Sequence, residues 1–355
     1  MISIILPTLN ESENIDDNIS TFKYIFENTN YELIFVDDNS TDGTRDIIKK
    51  HQRVESNIKL LTRLNRTGLS SAIFDGISVA EYDYICVVDA DLQYDLEPLK
   101  VAVDEMNDDP NIDIIIFNRT MINNKSATNL SDIRYFITNI ASWITKKTIK
   151  YDIQDPNTGF FLMKKEIIEN NHSKLCLIGY KFLLDVLLSV KGLVVHEVQT
   201  DFNERKKGTS KLNVSIFIDF FEMYLDKFTG FLIPGYFVMY VLCGLIGLFF
   251  VLLFNILITL FNYNDLWILS FSSLLAIPIN FYFNNIITFR HYKIASEKIY
   301  SSLFLYFLIC SIGVIFQASI LNDTVDLNSY EYVLSLLLSG SWNFLMAKNI
   351  VWRVR

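Results

Sequence analysis

Residues 230–355 hold only 6 of the chain's 31 Lys+Arg and 5 of its 40 Asp+Glu. Within them lie four apolar runs, at about 231–261, 266–289, 299–321 and 332–352. Each reaches the ~20 residues that cross a hydrocarbon core as a helix. The joining segments NYND and NDTVDLNSYE carry no Lys or Arg. The middle segment holds Arg290, Lys293 and Lys298, and the tail holds Arg353 and Arg355. The positive-inside rule then puts the middle loop and both termini on the cytoplasmic side, and four crossings satisfy that arrangement. The region also repeats itself. NFYFNNIITFR (280–290) aligns with NFLMAKNIVWR (343–353), matching Asn280 to Asn343, Phe281 to Phe344, Ile287 to Ile350 and Arg290 to Arg353. Amides in a span need partners, so Asn280 and Asn343 are expected to face neighbouring helices.

The rest of the chain is different in kind, with 25 basic against 35 acidic residues. An acidic balance argues against a nucleic-acid partner, which needs clustered Lys and Arg. The four cysteines and four histidines are scattered, without spacing for a disulfide framework, a zinc site or a histidine-based triad. The opening MISIILP is too short an apolar run, with no basic leader, to be a signal peptide, and it reads as a strand.

Runs rich in Ile, Val and Phe recur at 3–7, 31–36, 58–62, 84–88 and 112–117, with another strand at 192–199. Helical spacing fills Glu11–Glu27, Asp42–Gln52 and Leu69–Ala80, and later Ser131–Lys147 and Tyr180–Ser189. Strand–helix alternation with uninterrupted apolar strands predicts a mainly parallel α/β sheet covered on both faces. Ligands bind such sheets beyond the carboxyl ends of the strands, and the polar clusters Pro7–Glu11, Asp37–Asp42, Asp89–Gln93 and Asn118–Arg119 follow the strands here. In 214–228, Ser215, Asp219, Glu222 and Asp226 mark one narrow helical stripe on an otherwise apolar segment. It reads either as an amphipathic helix in a membrane interface or as a core helix, and the apolar runs that follow favour the first. The domains expected are therefore 1–212, an interfacial helix at 213–229, and a four-helix membrane domain at 230–355.

Asp89 and Asp91 leave a strand end at i and i+2, so both can turn toward one point. Two such carboxylates either meet water as a solvated strand end or flank a cation. Hard oxygen donors with the Gln93 amide nearby suit Mg2+ or Mn2+. Asp38 reads either as an acceptor toward a base or ribose, or as the cap of the helix starting near Asp42.

The series PTLNESENI, VDDNSTDGT, GLSSAIFDGI, VVDADLQ, DPNTGFF and FNERKKGTSKL resembles the family-2 glycosyltransferases that act on polyprenyl phosphates, over residues 1 to about 212. The subgroup it resembles is that of dolichol-phosphate mannose synthases and bactoprenol glucosyltransferases, and the C-terminal repeat resembles the GtrA-like four-helix module. The resemblance implies a GT-A fold, with the nucleotide sugar over Pro7, Leu9, Glu11, Val36 and Asp38 and at Ala90. Metal would sit on Asp89, Asp91 and Gln93, and Arg119, Lys181, Arg205 and Lys211 would meet the phosphates. Arg134 and Thr138 would hold the acceptor phosphate with Arg119, so Asp89, Asp91, Arg119 and Arg134 become the expected catalytic set. The reaction implied is inverting, metal-dependent transfer of a hexose to a polyprenyl or dolichyl phosphate at the cytoplasmic membrane face, giving a β-linked product. GDP-mannose is the first choice of donor and UDP-glucose to undecaprenyl phosphate the alternative. Asn118, Asp185 and Tyr94-Asp95-Leu96 depart from residues common in the family and leave the sugar open. The sequence does not set the oligomeric state.

Three rivals differ in sequence. A processive polysaccharide synthase would carry Q-x-x-R-W before its membrane helices, and none occurs. A D-x-D phosphatase usually has Thr or Val where Gln93 stands. A lipid-binding or lipid-moving protein with an inactive head would not need the acidic and basic sets that are intact here.

Overall fold

A computed structural model of the chain describes residues 1–27, 29–64, 68–120, 143–203, 214–230, 232–259, 265–322 and 329–354. It divides into two compact units, Met1–Met223 and Tyr224–Arg355.

Among the described residues the first unit is built on seven strands: β1 (Ile2–Thr8), β2 (Tyr31–Asp37), β3 (Ile58–Thr62), β4 (Tyr84–Val87), β5 (Ile114–Thr120), β6 (Phe161–Lys164) and β7 (Val195–Asp201). They form one sheet in the order β3-β2-β1-β4-β6-β5-β7. All neighbours pair in parallel except β6, which runs antiparallel between β4 and β5. The expected strands are present, with shifted ends: β5 starts at Ile114 and β7 at Val195. The antiparallel β6 is absent from the expected strands, because FLMK is only four residues long and runs directly into a helical segment. The expected helices are α1 (Ile15–Ile25), α2 (Thr44–Gln52), α3 (Leu69–Ser78) and α7 (Phe182–Ser189). Of the expected helix at Ser131–Lys147, only the helical residues 143–148 (α5) are described. Helices α4 (Pro98–Asp108) and α6 (Lys165–Asn171) complete the layers.

Period-two alternation sends Ile2, Ile4 and Leu6 into one core with Ile15, Phe22 and Leu99, and Ile5 into the other with Ile73, Ile77 and Val186. Both faces of the sheet are thus covered, which is why its strands read as continuous apolar runs. The strand order reverses between β1 and β4, the position beyond whose carboxyl edge open sheets of this kind bind ligands. Asp89 and Asp91 follow β4 at that edge, and Leu9 follows β1.

Helix α8 (Val214–Thr229) carries the narrow acidic stripe inward. Asp219, Glu222 and Asp226 are 3 %, 4 % and 7 % exposed, whereas Phe228 is 91 % exposed. Turned this way, the helix leaves Phe221 as well as Phe228 exposed.

The second unit contains α9 (Gly235–Thr259), α10 (Asp265–Phe283), α11 (Ile299–Asn322) and α12 (Ser329–Met346). Among the described residues two helical stretches, Gly235–Ile258 and Ser296–Ile315, are long and apolar enough to cross a membrane. The repeat seen in the sequence has a structural counterpart. Helix α10 runs into a π turn at Asn284–Thr288, and α12 runs into one at Ala347–Val351, 63 positions later in both bounds. Each closes with an i+5 hydrogen bond, Phe289 N to Asn284 O at 2.8 Å and Trp352 N to Ala347 O at 3.0 Å. The equivalent residues Phe289 and Trp352 stack on each other with ring centroids 4.4 Å apart. The two amides meet equivalent partners as well. A Cβ on Gly247 of α9 would lie 3.3 Å from Asn280 Nδ2, and one on Gly313 of α11 would lie 2.6 Å from Asn343 Oδ1. Tyr240 and Tyr306 precede those glycines by seven residues in both copies and pack in the same cluster. Each hairpin therefore seats one amide against a backbone with no side chain between them, the close approach that small residues permit.

Gly313→Ala is expected to cost about 1–3 kcal/mol by overpacking. The second change Asn343→Ala should restore part of that loss, read by thermal unfolding of the detergent-solubilised chain.

Candidate active site

The loops after β1 and β2 are fastened to each other. Asn10 N donates to Ser40 Oγ at 2.8 Å, Thr41 N to Asn10 Oδ1 at 2.9 Å, Glu11 N to Thr44 Oγ1 at 3.0 Å and Ser12 N to Asp42 Oδ2 at 3.0 Å. Asp42, two residues before α2, also accepts from Thr44 N through its Oδ1 at 3.1 Å. Although its partial burial works the other way, hydrogen bonds from Thr44 and Ser12 hold its pKa down at about 2. Asp38, which the sequence left open between capping and ligand binding, does not cap. Its Oδ2 accepts from Gly68 N at 2.9 Å and its Oδ1 accepts from Arg63. Among the other residues expected at the nucleotide, Pro7 is part-buried in β1, Leu9 is exposed, and Glu11 accepts from Asn14 Nδ2 at 2.8 Å. Val36 is wholly buried between β1 and β3 and presents no surface to a ligand, contrary to the role expected for it.

At the end of β4, Asp89 is part-buried and Asp91 is 6 % exposed. Leu92 sits at φ +57°, a region a bulky side chain enters at a cost of about 1–3 kcal/mol. The turn is held by Gln93 N on Asp91 Oδ1 at 3.3 Å and by Asn18 Nδ2 on Ala90 O at 2.8 Å. Gln93 then pairs with the chain beyond β7: Asn203 N donates to Gln93 O at 2.7 Å, and Gln93 Nε2 donates to Asn203 O at 3.1 Å.

The motif DPNTGFF, quoted from the sequence without a role for its members, is the second wall. Asp155 accepts both Arg119 Nε at 2.6 Å and Arg119 Nη2 at 2.8 Å, a bidentate pair. That pairing, against the burial of the side chain, keeps the guanidinium firmly charged. Glu197 of β7 supports the loop by accepting from Gln154 N and Asp155 N at 2.9 and 3.1 Å. Gly159 is pressed on Asp89: a Cβ there would stand 2.4 Å from Asp89 Oδ2, so any side chain displaces the carboxylate. Tyr94 ties the two walls, its hydroxyl accepting from Gly159 N at 3.0 Å and meeting Thr158 Oγ1 at 3.2 Å. Burial first, and the nearby Asp89 charge second, push its pKa up to about 12.

Lys181, immediately before α7, joins this group. Desolvation, and then repulsion from Arg119, pull its pKa down to about 8, while Asp155 and Asp89 oppose the shift. Asp89, Arg119, Asp155 and Lys181 therefore share one electrostatic neighbourhood. Beside it opens a cleft of about 690 Å3 lined by Asn118, Arg119, Lys146, Tyr151, Gln154 and Asp155 among others. Of the expected site residues, Arg134, Thr138, Arg205 and Lys211 lie outside the described residues. Four participants were missed from sequence: Arg63, Lys146, Asp155 and Gly159. Asp155 and Gly159 were visible as one contiguous motif.

The donor set suits a hard divalent ion. Two carboxylates and an amide supply oxygen, and the glycine at 159 leaves the Asp89 carboxylate the space that any side chain there would take. Among the described residues no group of three or more His, Cys, Asp or Glu gathers to hold a metal. Such an ion would rest on few protein ligands and complete its shell with water and phosphate oxygens.

Residues 3–171 match the model of the family "Glycosyl transferase family 2". Residues 239–352 match that of "GtrA/DPMS, transmembrane domain". A dolichol-phosphate mannosyltransferase of Pyrococcus furiosus is 34 % identical over 215 residues, which are 59 % of this chain and 59 % of that protein. The matched part thus spans less than two thirds of that relative. The dolichol-phosphate mannosyltransferase of Saccharomyces cerevisiae is 29 % identical over 208 residues, 56 % of this chain and 76 % of that protein. Among solved structures, glucosyl-3-phosphoglycerate synthase of Mycobacterium tuberculosis, in complex with Mn2+, UDP-glucose and glycerol 3-phosphate, aligns over 64 % of this chain and 79 % of its own. Its TM-score is 0.46 at 16 % identity, too loose a likeness to inform the ligands. By these matches the chain carries a family-2 glycosyltransferase domain over residues 3–171 and a GtrA/DPMS transmembrane domain over residues 239–352.

Proposed function

We propose that the protein transfers a hexose from a nucleotide diphosphate sugar to a polyprenyl or dolichyl phosphate, with inversion, at the cytoplasmic face of a membrane. GDP-mannose is the first choice of donor and UDP-glucose the alternative. The observation that carries the reading is the cluster of Asp89, Arg119, Asp155 and Lys181 at the sheet's carboxyl edge. The dolichol-phosphate mannosyltransferase relatives and the transmembrane domain support the choice of acceptor.

Both substrates are anions, so their mutual repulsion is the first obstacle. Arg119 and Lys181 offset it, and the Asp155 clamp fixes the Arg119 guanidinium before substrate arrives, so little reorganisation is left for the reaction itself. An acceptor phosphate is already anionic near neutral pH. Its oxygen attacks the anomeric carbon as the bond from that carbon to the donor phosphate oxygen breaks, and the electron pair leaves with the nucleoside diphosphate. No base is needed to create the nucleophile, in keeping with a chain whose four histidines are dispersed. A single displacement turns an α-linked donor into a β-linked product. Mg2+ or Mn2+ held by Asp89, Asp91 and Gln93 would supply charge neutralisation at the diphosphate. Arg134 and Thr138 are proposed at the acceptor phosphate, and Arg205 and Lys211 at the donor. The domain limits 1–212, 213–229 and 230–355, four membrane crossings and cytoplasmic termini belong to the same proposal.

Three outcomes test it. Incubation with radiolabelled nucleotide sugars, polyprenyl phosphate and Mn2+ should carry label into the organic phase with one donor. No label with any donor would sink the reading. Asp91→Ala should lower transfer by about 100-fold or more while the protein stays folded. Lys181 is charged below about 8 and neutral above it, so nucleoside diphosphate affinity should weaken as pH rises through that value. Lys181→Arg, whose guanidinium stays protonated, should flatten the profile, as titration calorimetry across pH would show.

A further inference from the structure

The short helix α5 presents a surface unlike the rest of its domain. Trp143, Lys146 and Lys147 stand at i, i+3 and i+4 and so share one helical face. All three are exposed, as is Lys150 just past the helix, whereas Thr145 on the opposite side is 1 % exposed. Lys147 Nζ lies 5.0 Å from the centroid of the Trp143 ring. From Ile133 to Tyr151 the sequence contains no Asp or Glu, within a region that is acidic on balance. The face is firmly mounted. Tyr151, at the end of this stretch, packs on the core that holds Ile73, Ile77 and Val186. Its hydroxyl donates to Val190 O at 2.7 Å and accepts from Leu193 N at 3.3 Å. Lys146 also lines the cleft beside Arg119, so the exposed face and the cleft share a side chain.

Lysines along an outer face are what any solvated helix shows. The indole is what water does not explain. It is 62 % exposed, although Trp is among the more buried residue types on average. A ring with an apolar body and one N–H donor is best placed at the level of lipid headgroups, where one end is dry and the other wet. Lysines around it add attraction to anionic headgroups, and their methylene stems lie on apolar surface while the ammonium groups reach phosphate. The same chain carries a transmembrane domain, so a bilayer is always within its reach. We infer that the face formed by Trp143, Lys146, Lys147 and Lys150 is a docking surface for the anionic phospholipid headgroups of that bilayer.

The occupant is the lipid surface and not a single bound phosphate. The face turns away from the buried Thr145, and its three ammonium groups are spread along the outside of the helix, as a layer of phosphates would meet them. Each lysine near an anionic surface is worth about fivefold in binding, so the three together make the face sensitive to the charge of the leaflet. Docking here would set the catalytic domain against the membrane on the side of the cleft that Lys146 lines. The inference does not depend on which sugar or acceptor the enzyme uses. It needs only a membrane that carries negative charge.

The test uses the full chain in lipid nanodiscs doped with brominated phosphatidylcholine, which quenches indoles at headgroup and upper acyl depth. One set is otherwise phosphatidylcholine, and the other contains about one third phosphatidylglycerol. The Trp143 signal is taken as the difference between wild type and Trp143→Phe, because the chain holds four Trp. Quenching of that signal should be about twofold or more greater with phosphatidylglycerol. Raising NaCl to about 0.5 M, which shortens the screening length to about 4 Å, should return it toward the phosphatidylcholine value. Replacing Lys146, Lys147 and Lys150 together by Gln should abolish the dependence on phosphatidylglycerol, and replacing all three by Arg, which keeps the charge, should preserve it. Equal quenching in both lipid sets would overturn the preference for anionic headgroups, as would an unchanged response in the Gln variant. A Trp143 signal that no lipid quenches would mean that the face meets water or another protein, and the inference would fall. The wild-type comparison and the Arg variant decide the matter if the Gln variant does not fold.

Discussion

The contact between Asp89 and Gly159 is the constraint on which the catalytic unit depends. A strand ending in two carboxylates concentrates like charge at the edge of a low-dielectric sheet, and that arrangement persists only where cations or donors answer it. Here the answer comes from a loop far along the chain. β6 inserts antiparallel beside β4, which brings the residues before it, Asp155 to Gly159, across the end of β4. The missing side chain at 159 lets the backbone close on Asp89. Asp155 then fixes Arg119 at the end of β5, and Tyr94 fastens the loop to the segment that carries the acids. One reversed strand thus turns three separate strand ends into a single charged pocket.

The loops at the sheet's carboxyl edge are also tied to one another. Asn10, Ser40, Asp42 and Thr44 cross-link those after β1 and β2, and Arg63 locks Asp38 to Gly68. Preorganised dipoles and charges of this kind need not rearrange as charge moves in the reaction. The cleft beside Arg119 has Lys146 in its lining as well, so two cationic side chains border it.

The helical unit is built on duplication. An amide, an aromatic and a π turn recur at a fixed interval, and the equivalent aromatics Phe289 and Trp352 end up against each other. Symmetry is broken where the second copy replaces Asn285 by Lys348. Asn285 Oδ1 accepts from Trp352 Nε1 at 3.0 Å and from Ile294 N at 3.1 Å, whereas Lys348 Nζ donates to Tyr236 Oη at 3.0 Å. A π turn widens the helix by one residue and frees backbone geometry locally. Having one in each copy means that both hairpins end with the same departure from the α-helix.

The sequence by itself determined the α/β class, the strands that carry acidic ends, the division into two regions and the repeat. These are local facts: periodicity, composition and charge are written residue by residue. It also singled out Asp89, Asp91 and Arg119, because a polar group at a strand's carboxyl end has few other places to go, whereas Lys181 entered only through the family resemblance. The tertiary structure alone decided that Asp38 is locked by Arg63 rather than capping α2, that Asp155 clamps Arg119, and that Gly159 makes space for Asp89. It also turned the acidic stripe of α8 inward. Each of these pairs residues that are distant in sequence or equally able to meet water, and their choice of partner was fixed by the antiparallel insertion of β6 and by which groups burial left in need of a hydrogen bond.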